Sequence, residues 1–296
     1  MSDEPLRVHQ GRGTNRRGFI RAVAGAAVAP WLAGAFAPVA GAPAEGGPDT
    51  RDAVAIVVDD LVAAGHILSN ETVIDAFGHV SGRHPTRPTH FLMSRARPPG
   101  LSEPSDIMEF DVNGDPVDAQ GRHPYLERFI HAAVYEARPD VRSVVHDHSR
   151  EVLPFSVSRV PLRPVGHTGG VIGETVPVWD VREHFGDRTN MLVSSLEMGR
   201  DLARRMGKAP TLLMRGHGAV IAAKSIRLAT FTAIGLDTQA RALREALTLG
   251  AATGLSSGEA AATAGLFDPD AAGNSIGRAW EYWCARANVP YRAKGA

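Results

Sequence analysis

Apolar residues recur at helical spacing in several long segments of the chain. In the first of these, Val54, Val57, Val58 and Leu61 fall on one side of a helix with 3.6 residues per turn. A helix with one apolar side buries that side against a core, so this spacing predicts helices of a folded domain. The predicted helices are residues 49–68, 125–137, 194–206 and 226–249, followed by an aromatic-rich terminal helix at residues 276–283.

Shorter apolar segments bounded by Gly, Pro, Asn and Asp predict β-strands. The first three follow one another without an intervening helix, which indicates an antiparallel meander rather than parallel strands joined by helices. Pro177 has no N–H to donate to a neighbouring strand, so its strand is predicted to lie at an edge of the sheet. The predicted strands are residues 77–84, 91–97, 107–111, 143–148, 162–168 and 176–179, followed by two strands that flank a Gly-His-Gly turn within residues 211–221.

The length and composition allow one substantial folded core. The chain has 296 residues, of which 44% are hydrophobic, and it contains 32 basic and 32 acidic residues. Lys and Arg do not cluster with interleaved aromatic residues, which argues against nucleic acid as a partner. Cys284 is the only cysteine, so an intrachain disulfide and a cysteine-rich zinc site are excluded. We expect the catalytic domain in residues 45–250 and a linker with the C-terminal helix in residues 251–296, with linker composition over residues 250–265.

The N-terminal 44 residues have the organisation of an export signal. Arg16 and Arg17 precede an apolar run rich in Ala, Gly and Val, which small residues follow up to residue 44. A paired arginine in this position is typical of the twin-arginine export pathway. Pro30 and Pro38 interrupt the run, which argues against the alternative of a stable membrane anchor. We expect residues 1–44 to be a cleaved signal peptide, the export machinery to be a partner, and the protein to be periplasmic.

The most informative motif is a pair of histidines at the end of the strand predicted at residues 143–148. Side chains alternate between the two faces of a strand, so His146 and His148 point to the same side and Asp147 to the other. Two imidazoles placed in this way can bind one metal ion without distortion of the backbone. Two unrelated surface histidines are the alternative, and the presence of further ligand residues argues against it.

His217 and Glu127 complete a candidate set of metal ligands. Glycines on both sides of His217 allow a sharp turn from which the imidazole projects, and Glu127 lies near the start of a predicted helix. Three neutral imidazoles and one carboxylate leave the ion positively charged with an exchangeable position, which suits catalysis. A site without thiolates admits zinc as the first choice, with iron, manganese or cobalt as alternatives. We therefore expect one divalent metal ion per subunit.

The order of these motifs resembles that of the class II aldolase/adducin family of metal-dependent lyases and epimerases. Glu127, the His-x-His pair and an Arg-Gly-His-Gly sequence around His217 match in order, and a Gly-His-Val-Ser sequence that includes His79 stands where the family usually has Gly-Asn-x-Ser. The resemblance extends over residues 52–249. It implies an α/β fold, a three-layer αβα sandwich with a mixed or antiparallel central sheet, and homo-oligomeric rings that are often tetramers. It also implies that Glu127 both contacts the metal and transfers protons.

One departure from the family pattern bears on the substrate. Where sugar-phosphate members place small polar residues and glycine around a phosphate, this chain has Ala-Arg at residues 96–97 and Tyr-Leu at residues 125–126. A phosphorylated substrate is therefore not expected. Arg95 and Arg97 share a face of the predicted strand, and Arg97 suits a bidentate clamp on a carboxylate, with a solvated basic strand end as the alternative. The residues expected to contact the substrate are Arg95, Arg97, Ser94 and His79.

A second departure concerns proton transfer. Aldolase members have His-Tyr, with the tyrosine as proton donor, where this chain has His167 and Thr168. Because threonine cannot replace that acid, His167 is a candidate catalytic acid or base beside Glu127. An ordinary core histidine is the alternative.

Together these features predict a metal-dependent carbon–carbon lyase, either a decarboxylase or an aldolase. Its expected substrate is a small non-phosphorylated, carboxylated hydroxy or aromatic compound, cleaved through a metal-stabilised enolate to which Glu127 returns the proton. One alternative is a non-haem iron oxygenase that uses the same residues. The other is a non-catalytic adducin-like interaction domain, against which the intact set of four ligand residues argues.

Overall fold

The computed structural model describes residues 50–291 and shows one β-sheet with helices on both faces. The predicted signal residues Arg16 and Arg17 lie outside the described residues. The strands are β1 (His79–Arg83), β2 (His90–Ser94), β3 (Ile107–Asp111), β4 (Ser143–Asp147), β5 (Val178–Trp179), β6 (Thr211–Met214) and β7 (Gly218–Ala223). The helices are α1 (Thr50–Asn70), α2 (Arg128–Ala137), α3 (Leu153–Val157), α4 (Arg182–Phe185), α5 (Leu196–Met206), α6 (Ile226–Leu249), α7 (Ser257–Gly265) and α8 (Ile276–Arg286).

The strands follow the order β3-β2-β1-β4-β7-β6-β5 across the sheet. Neighbouring strands are antiparallel except β5 and β6, which are parallel. The first three strands form the predicted meander, and β5, which follows Pro177, lies at an edge as predicted. In the centre of the sheet, β1 and β4 pair so that His79 lies directly opposite His146. The side chains of such a pair stand on the same face of the sheet.

Two apolar cores lie between the sheet and its helices. On one face, α1, α6 and α8 pack against strand residues that include Val80, Val145 and Ile221. On the other face, α2 and α5 pack against strand residues that include Val144 and Leu212. The consecutive residues Val144 and Val145 thus enter different cores, as expected for a strand that is buried on both faces. This arrangement confirms the predicted three-layer αβα sandwich with a mixed central sheet.

Local signals define the ends of two long helices. α6 begins after Ser225, whose side chain accepts a hydrogen bond from the amide of Leu228, and it ends before Gly250. α5 begins in the same way, with Ser195 accepting from the amide of Met198. Such a side chain satisfies a backbone donor that the first turn of a helix leaves unpaired. Both helices therefore begin within two residues of the start that the apolar spacing predicted.

α1 is apolar and long enough over Ala53–Asn70 to cross a membrane, judged by length and composition alone. In the fold, however, Leu61, Ala64, Ile67 and Leu68 are buried in the core on one side of the sheet. Core helices of folded domains pass the same test, so length and composition are weak evidence that α1 spans a membrane.

The strand predicted at residues 162–168 is wrong, because the structure has an irregular segment there. The amides of Val165 and Gly166 donate hydrogen bonds to the side chain of Gln239 on α6. A carbonyl group of the same segment accepts a hydrogen bond from the amide of Leu255. Backbone groups that are paired in this way are not available to a neighbouring strand.

The linker predicted at residues 250–265 is also corrected, because it contains α7. At the start of this helix, Ser256 accepts a hydrogen bond from the amide of Glu259, and the Glu259 carboxylate accepts one from the amide of Ser256. α7 packs closely on a turn that contains Gly170, where an added Cβ would lie 2.2 Å from the carbonyl oxygen of Ala260. The small residues that resembled a linker are those that allow this close contact.

Candidate metal centre

Two neighbouring strands bring the three histidines of the predicted site together. His146 lies in β4 and His148 follows directly after it, so their side chains leave the same face of the sheet. In the turn between β6 and β7, Gly216 has a positive φ of 66° that lets His217 project towards the pair. At Gly218, β7 approaches β4 so closely that an added Cβ would lie 1.9 Å from a carbonyl oxygen of β4. The backbone therefore requires glycine at both positions, at Gly216 for its positive φ and at Gly218 for the close approach to β4.

The four predicted ligand residues form one cluster. Nε2 of His148 lies 3.1 Å from Nε2 of His146 and 3.1 Å from Nε2 of His217. Oε2 of Glu127 lies 3.4 Å from Nε2 of His146 and 3.6 Å from Nε2 of His217. An ion with four tetrahedral ligands at about 2.1 Å separates its ligand atoms by about 3.4 Å. The atoms of this cluster therefore have the spacing of ligands around a single ion.

The second ring nitrogen of each histidine lies beside a hydrogen-bond acceptor. Nδ1 of His146 is 3.0 Å from a carbonyl oxygen of β7, and Nδ1 of His217 is 3.1 Å from the carbonyl oxygen of Met191. Nδ1 of His148 is 3.0 Å from Oδ2 of Asp75. Acceptors in these positions place the proton on Nδ1 and leave the lone pair of Nε2 to bind a metal.

Asp75 is a functional residue that the sequence analysis missed. One of its oxygens orients His148, and the other accepts hydrogen bonds from the amides of Phe77 and Gly78. The two amides keep the carboxylate in position for the imidazole, which lies 73 positions away in the sequence. A usable signal was present, because aspartate commonly binds backbone amides two or three residues later in a turn.

Glu127 stands directly before α2 and is buried beside the histidines. Its Oε1 accepts a hydrogen bond of 2.8 Å from the amide of Val193, while Oε2 lies near the imidazoles. Burial by itself raises the pKa of Glu127, but His146, His217 and the Val193 amide outweigh burial and lower the pKa to about 2. The side chain is therefore a carboxylate anion, the form that binds a metal.

The pKa values of the histidines shift in different directions. Burial lowers the pKa of His146, but Glu127 outweighs burial and raises it overall. Burial and the nearby His146 lower the pKa of His217 to about 4 and also lower the pKa of His148. His148 and His217 are therefore neutral at neutral pH, as metal binding requires.

These residues fit a divalent metal ion. Their ligand atoms converge, and an acceptor or a backbone donor holds each side chain from behind. An ion held by His146, His148, His217 and Glu127 would supply Lewis acidity towards a substrate oxygen.

A comparison of sequences identifies the family. The chain matches the Class II Aldolase and Adducin N-terminal domain over residues 59–243, a region that includes all four residues of the cluster. The chain belongs to the class II aldolase/adducin family. The resemblance in the order of motifs is thereby confirmed.

The chain is similar to several known members of this family and to solved structures with the same fold. It is 33% identical over 246 residues to Decarboxylase tropJ of Talaromyces stipitatus, covering 77% of this chain and 92% of that protein. It is 27% identical over 190 residues to a 3,4-dihydroxyphthalate decarboxylase of Arthrobacter keyseri, covering 61% and 74% respectively. It resembles the structure of L-fuculose 1-phosphate aldolase from Glaciozyma antarctica PI12 with a TM-score of 0.68 and 21% identity, covering 85% of this chain and 97% of that one. The last likeness shows a shared fold, while the ring of subunits implied by the family stays a prediction.

Two of the predicted substrate residues, His79 and Ser94, lie close to the four ligand residues. His79 packs against one of them, and both His79 and Ser94 line a small cavity. The ring of His79 packs against the rings of His146 and Tyr125, with centroid distances of 5.1 and 4.6 Å. His79, Ser94 and Tyr125 line a cavity of about 20 Å³, which is large enough for one water molecule. His79 therefore forms part of the wall beside the ligands, and substrate contact at both residues stays a prediction.

The other two predicted substrate residues, Arg95 and Arg97, are placed differently from the expectation. β2 ends at Ser94, so the arginines lie in the following loop and not on one face of a strand. Nε of Arg95 and Nη1 of Arg97 each lie 2.6 Å from a carboxylate oxygen of the buried Asp106. Both guanidinium groups therefore already have a carboxylate partner within the chain. A substrate clamp at Arg97 stays a prediction that these contacts do not favour.

The structure does not bring His167 to the cluster. This residue is exposed in a turn of the irregular segment at residues 162–168. Within residues 50–291, no hydrogen bond or ion pair joins it to the four ligand residues. Its role as a catalytic acid or base stays a prediction, and Glu127 is the acid–base candidate that the geometry supports.

Proposed function

We propose that this protein is a metal-dependent decarboxylase that acts on a small hydroxy-aromatic acid without a phosphate group. The observation that carries the proposal is the complete His146, His148, His217 and Glu127 cluster in a chain similar to Decarboxylase tropJ over 92% of that protein. A complete ligand set argues for catalysis and against an adducin-like interaction role. The name of the Arthrobacter relative supports a dihydroxylated aromatic acid as the substrate class.

The contacts of Glu127 support a role in transferring the proton that this reaction requires. Its Oε2 lies beside the imidazoles, and the Val193 amide holds Oε1 so that the carboxylate keeps this orientation. The carboxylate accepts the proton of a substrate hydroxyl group. When the bond to the leaving carboxylate breaks and carbon dioxide departs, the electron pair stays on the ring carbon and takes that proton from Glu127. The reaction therefore balances without an oxidant.

The surroundings of the cluster support a substrate without phosphate. The ring of Tyr125 packs on His79, and its hydroxyl group donates a hydrogen bond to the carbonyl oxygen of Arg97. The guanidinium group of Arg97 binds Asp106 and Glu103. At these positions the family resemblance implies small residues around a phosphate. A bulky ring and a neutralised guanidinium group provide fewer free donors for that anion.

A panel of substrates tests the proposal. We expect the metal-loaded protein to release carbon dioxide from ortho-hydroxylated benzoic acids, including 3,4-dihydroxyphthalate, and to leave L-fuculose 1-phosphate intact. A chelator should abolish this activity, and a divalent metal should restore it, because the ligand set is complete without another protein. Cleavage of the sugar phosphate without release of carbon dioxide from any acid would contradict the proposal. Turnover that stops when dioxygen is removed would instead favour the iron oxygenase.

We also propose that the protein is exported to the periplasm. The paired Arg16 and Arg17 and the apolar run after them support this proposal. Replacement of both by lysine should leave an unprocessed precursor in the cytoplasm of a bacterial host, because the two residues keep their charge but lose the guanidinium group. Cell fractionation and N-terminal sequencing measure the outcome, with Arg7→Lys and Arg12→Lys as a matched control. Normal processing of the Arg16→Lys, Arg17→Lys variant would rule out a twin-arginine signal.

A further inference from the structure

A chain of four buried polar side chains leads from the interior of the sandwich to the metal cluster. The hydroxyl groups of Tyr135 and Ser81 lie 2.8 Å apart, and Oγ of Ser81 lies 2.6 Å from Nδ1 of His131. Nε2 of His131 then lies 2.6 Å from Nδ1 of His79. Between 0 and 4% of the surface of each residue is exposed, so their polar groups are shielded from solvent and are paired with protein groups wherever one is in reach.

The partners of these groups determine the direction of the hydrogen bonds. Tyr135 has one described side-chain partner for its hydroxyl group, Ser81, and therefore donates to it. Ser81 then donates its own hydrogen to Nδ1 of His131, its other described partner. His131 must carry its proton on Nε2 and donate to Nδ1 of His79. The opposite direction would leave the buried hydroxyl hydrogen of Tyr135 without a described side-chain acceptor, which is costly.

The direction of these hydrogen bonds determines the tautomer of His79. Nδ1 of His79 accepts from His131, so the proton of a neutral His79 ring is on Nε2. A positive charge on either ring would be buried, and the described hydrogen bonds of the two rings include no carboxylate. The hydrogen bonds among the four residues thus leave one N–H donor, at Nε2 of His79, without a partner among these residues.

The pairing of β1 with β4 places the ring of His79 beside a ligand residue of the candidate metal centre. His79 lies opposite His146 in the pairing of β1 with β4, and their rings are 5.1 Å apart. The ring of Tyr125 covers it at 4.6 Å. Because Nδ1 is bound to His131, Nε2 lies on the opposite edge of the ring.

We infer that His79 is a substrate-binding residue that offers a fixed Nε2–H donor to an oxygen of the substrate, with Tyr135, Ser81 and His131 as positioning residues. This inference rests on the proposed function, because the oxygen belongs to the carboxylate or hydroxyl group of that substrate. The Nε2–H group can donate a hydrogen bond to an anionic oxygen of the substrate, but it cannot accept a proton from the substrate. It therefore complements Glu127, whose carboxylate accepts protons. His79 and Glu127 thereby have different roles in the site, the first as a donor and the second as an acceptor.

Two substitutions of His79 test the role of the donor. His79→Gln keeps an N–H group near the position of Nε2, whereas His79→Met keeps the length of the side chain without any donor. We expect His79→Met to lower kcat/KM for a hydroxy-aromatic acid by about 10- to 150-fold, the range for a hydrogen bond to a charged group, and His79→Gln to recover most of the loss. Both variants should keep their metal. Equal losses in the two variants would overturn the donor role.

The tautomer itself is measured without a substrate, so that this test does not depend on the proposed reaction. In the zinc-loaded protein labelled with ¹⁵N-histidine, we expect the His79 signals, assigned by their absence in His79→Gln, to show a protonated Nε2 and an unprotonated Nδ1. Ser81→Ala should reduce the population of this tautomer, because the donor to Nδ1 of His131 is lost. Tyr282→Phe, which changes an exposed tyrosine of α8, is the control and should change neither signal. A wild-type His79 protonated on Nδ1 would overturn the inference, even if the protein proves to be a decarboxylase.

Discussion

His146→Ala and His148→Ala should each remove the bound metal and lower kcat/KM by about three decades or more, because Lewis-acid catalysis contributes several kcal/mol. Each change deletes one of three converging Nε2 atoms, and the remaining two imidazoles with Glu127 leave an incomplete coordination sphere. Metal analysis after gel filtration and turnover of the hydroxy-aromatic acid measure the two effects. The fold should remain, because the apolar cores on both faces of the sheet do not include these side chains.

The control for these variants is a histidine outside the cluster. His184 is exposed on α4 and binds Asp201, and His184→Ala should keep both the metal and the activity. Circular dichroism of all three variants separates loss of metal from loss of structure. Stoichiometric metal and normal turnover in His146→Ala or His148→Ala would show that the cluster is not the metal site.

Gly218→Ala should have the second large effect, on stability and on the metal site together. An added Cβ would lie 1.9 Å from the carbonyl oxygen of Asp147, and that backbone cannot move without separating β7 from β4. We expect a loss of roughly 3 kcal/mol in the free energy of unfolding, at the upper end of overpacking costs, and a Tm lower by about 6–12 °C. Because His148 and His217 lie on the two separated segments, metal affinity should fall as well.

Gly277→Ala provides the matched control for this prediction. Gly277 lies in α8 with no atom within 4 Å of an added Cβ, and alanine is about 1 kcal/mol better than glycine within a helix. This variant should therefore be as stable as the wild type or more stable, with unchanged metal affinity. If thermal unfolding shows Gly218→Ala to be as stable as Gly277→Ala, the close approach of β4 and β7 does not exist in solution.

The parts of the fold that the sequence predicted correctly have local signals. α6 lies where apolar residues recur with helical spacing between Ser225, which caps its start, and Gly250. The alternation of a strand was enough to place His146 and His148 on one face. Local spacing therefore predicted most helices, most strands and the residues of the metal cluster.

The parts that were predicted wrongly or missed depend on contacts that the local pattern does not contain. Residues 162–168 have a strand-like composition, but Gln239, more than seventy positions later, binds two of their amides. The sequence pattern placed Arg97 in a strand. In the structure β2 ends at Ser94, and the guanidinium group of Arg97 donates a hydrogen bond to Asp106. Asp75 supports a histidine 73 positions away. Each of these outcomes was decided by a partner from another segment.

The separation of the ligands along the sequence also determines when the metal site forms during folding. His148 is 69 positions from His217 and 73 from Asp75, so long loops must close before these groups meet. Pairing of distant strands is slow, and the site is incomplete until β1, β4 and β7 are in register. A metal ion that binds only this late structure stabilises the native state more than the folding transition state. We therefore expect a bound ion to slow unfolding and to leave the rate of folding almost unchanged, which chevron plots with and without the metal would measure.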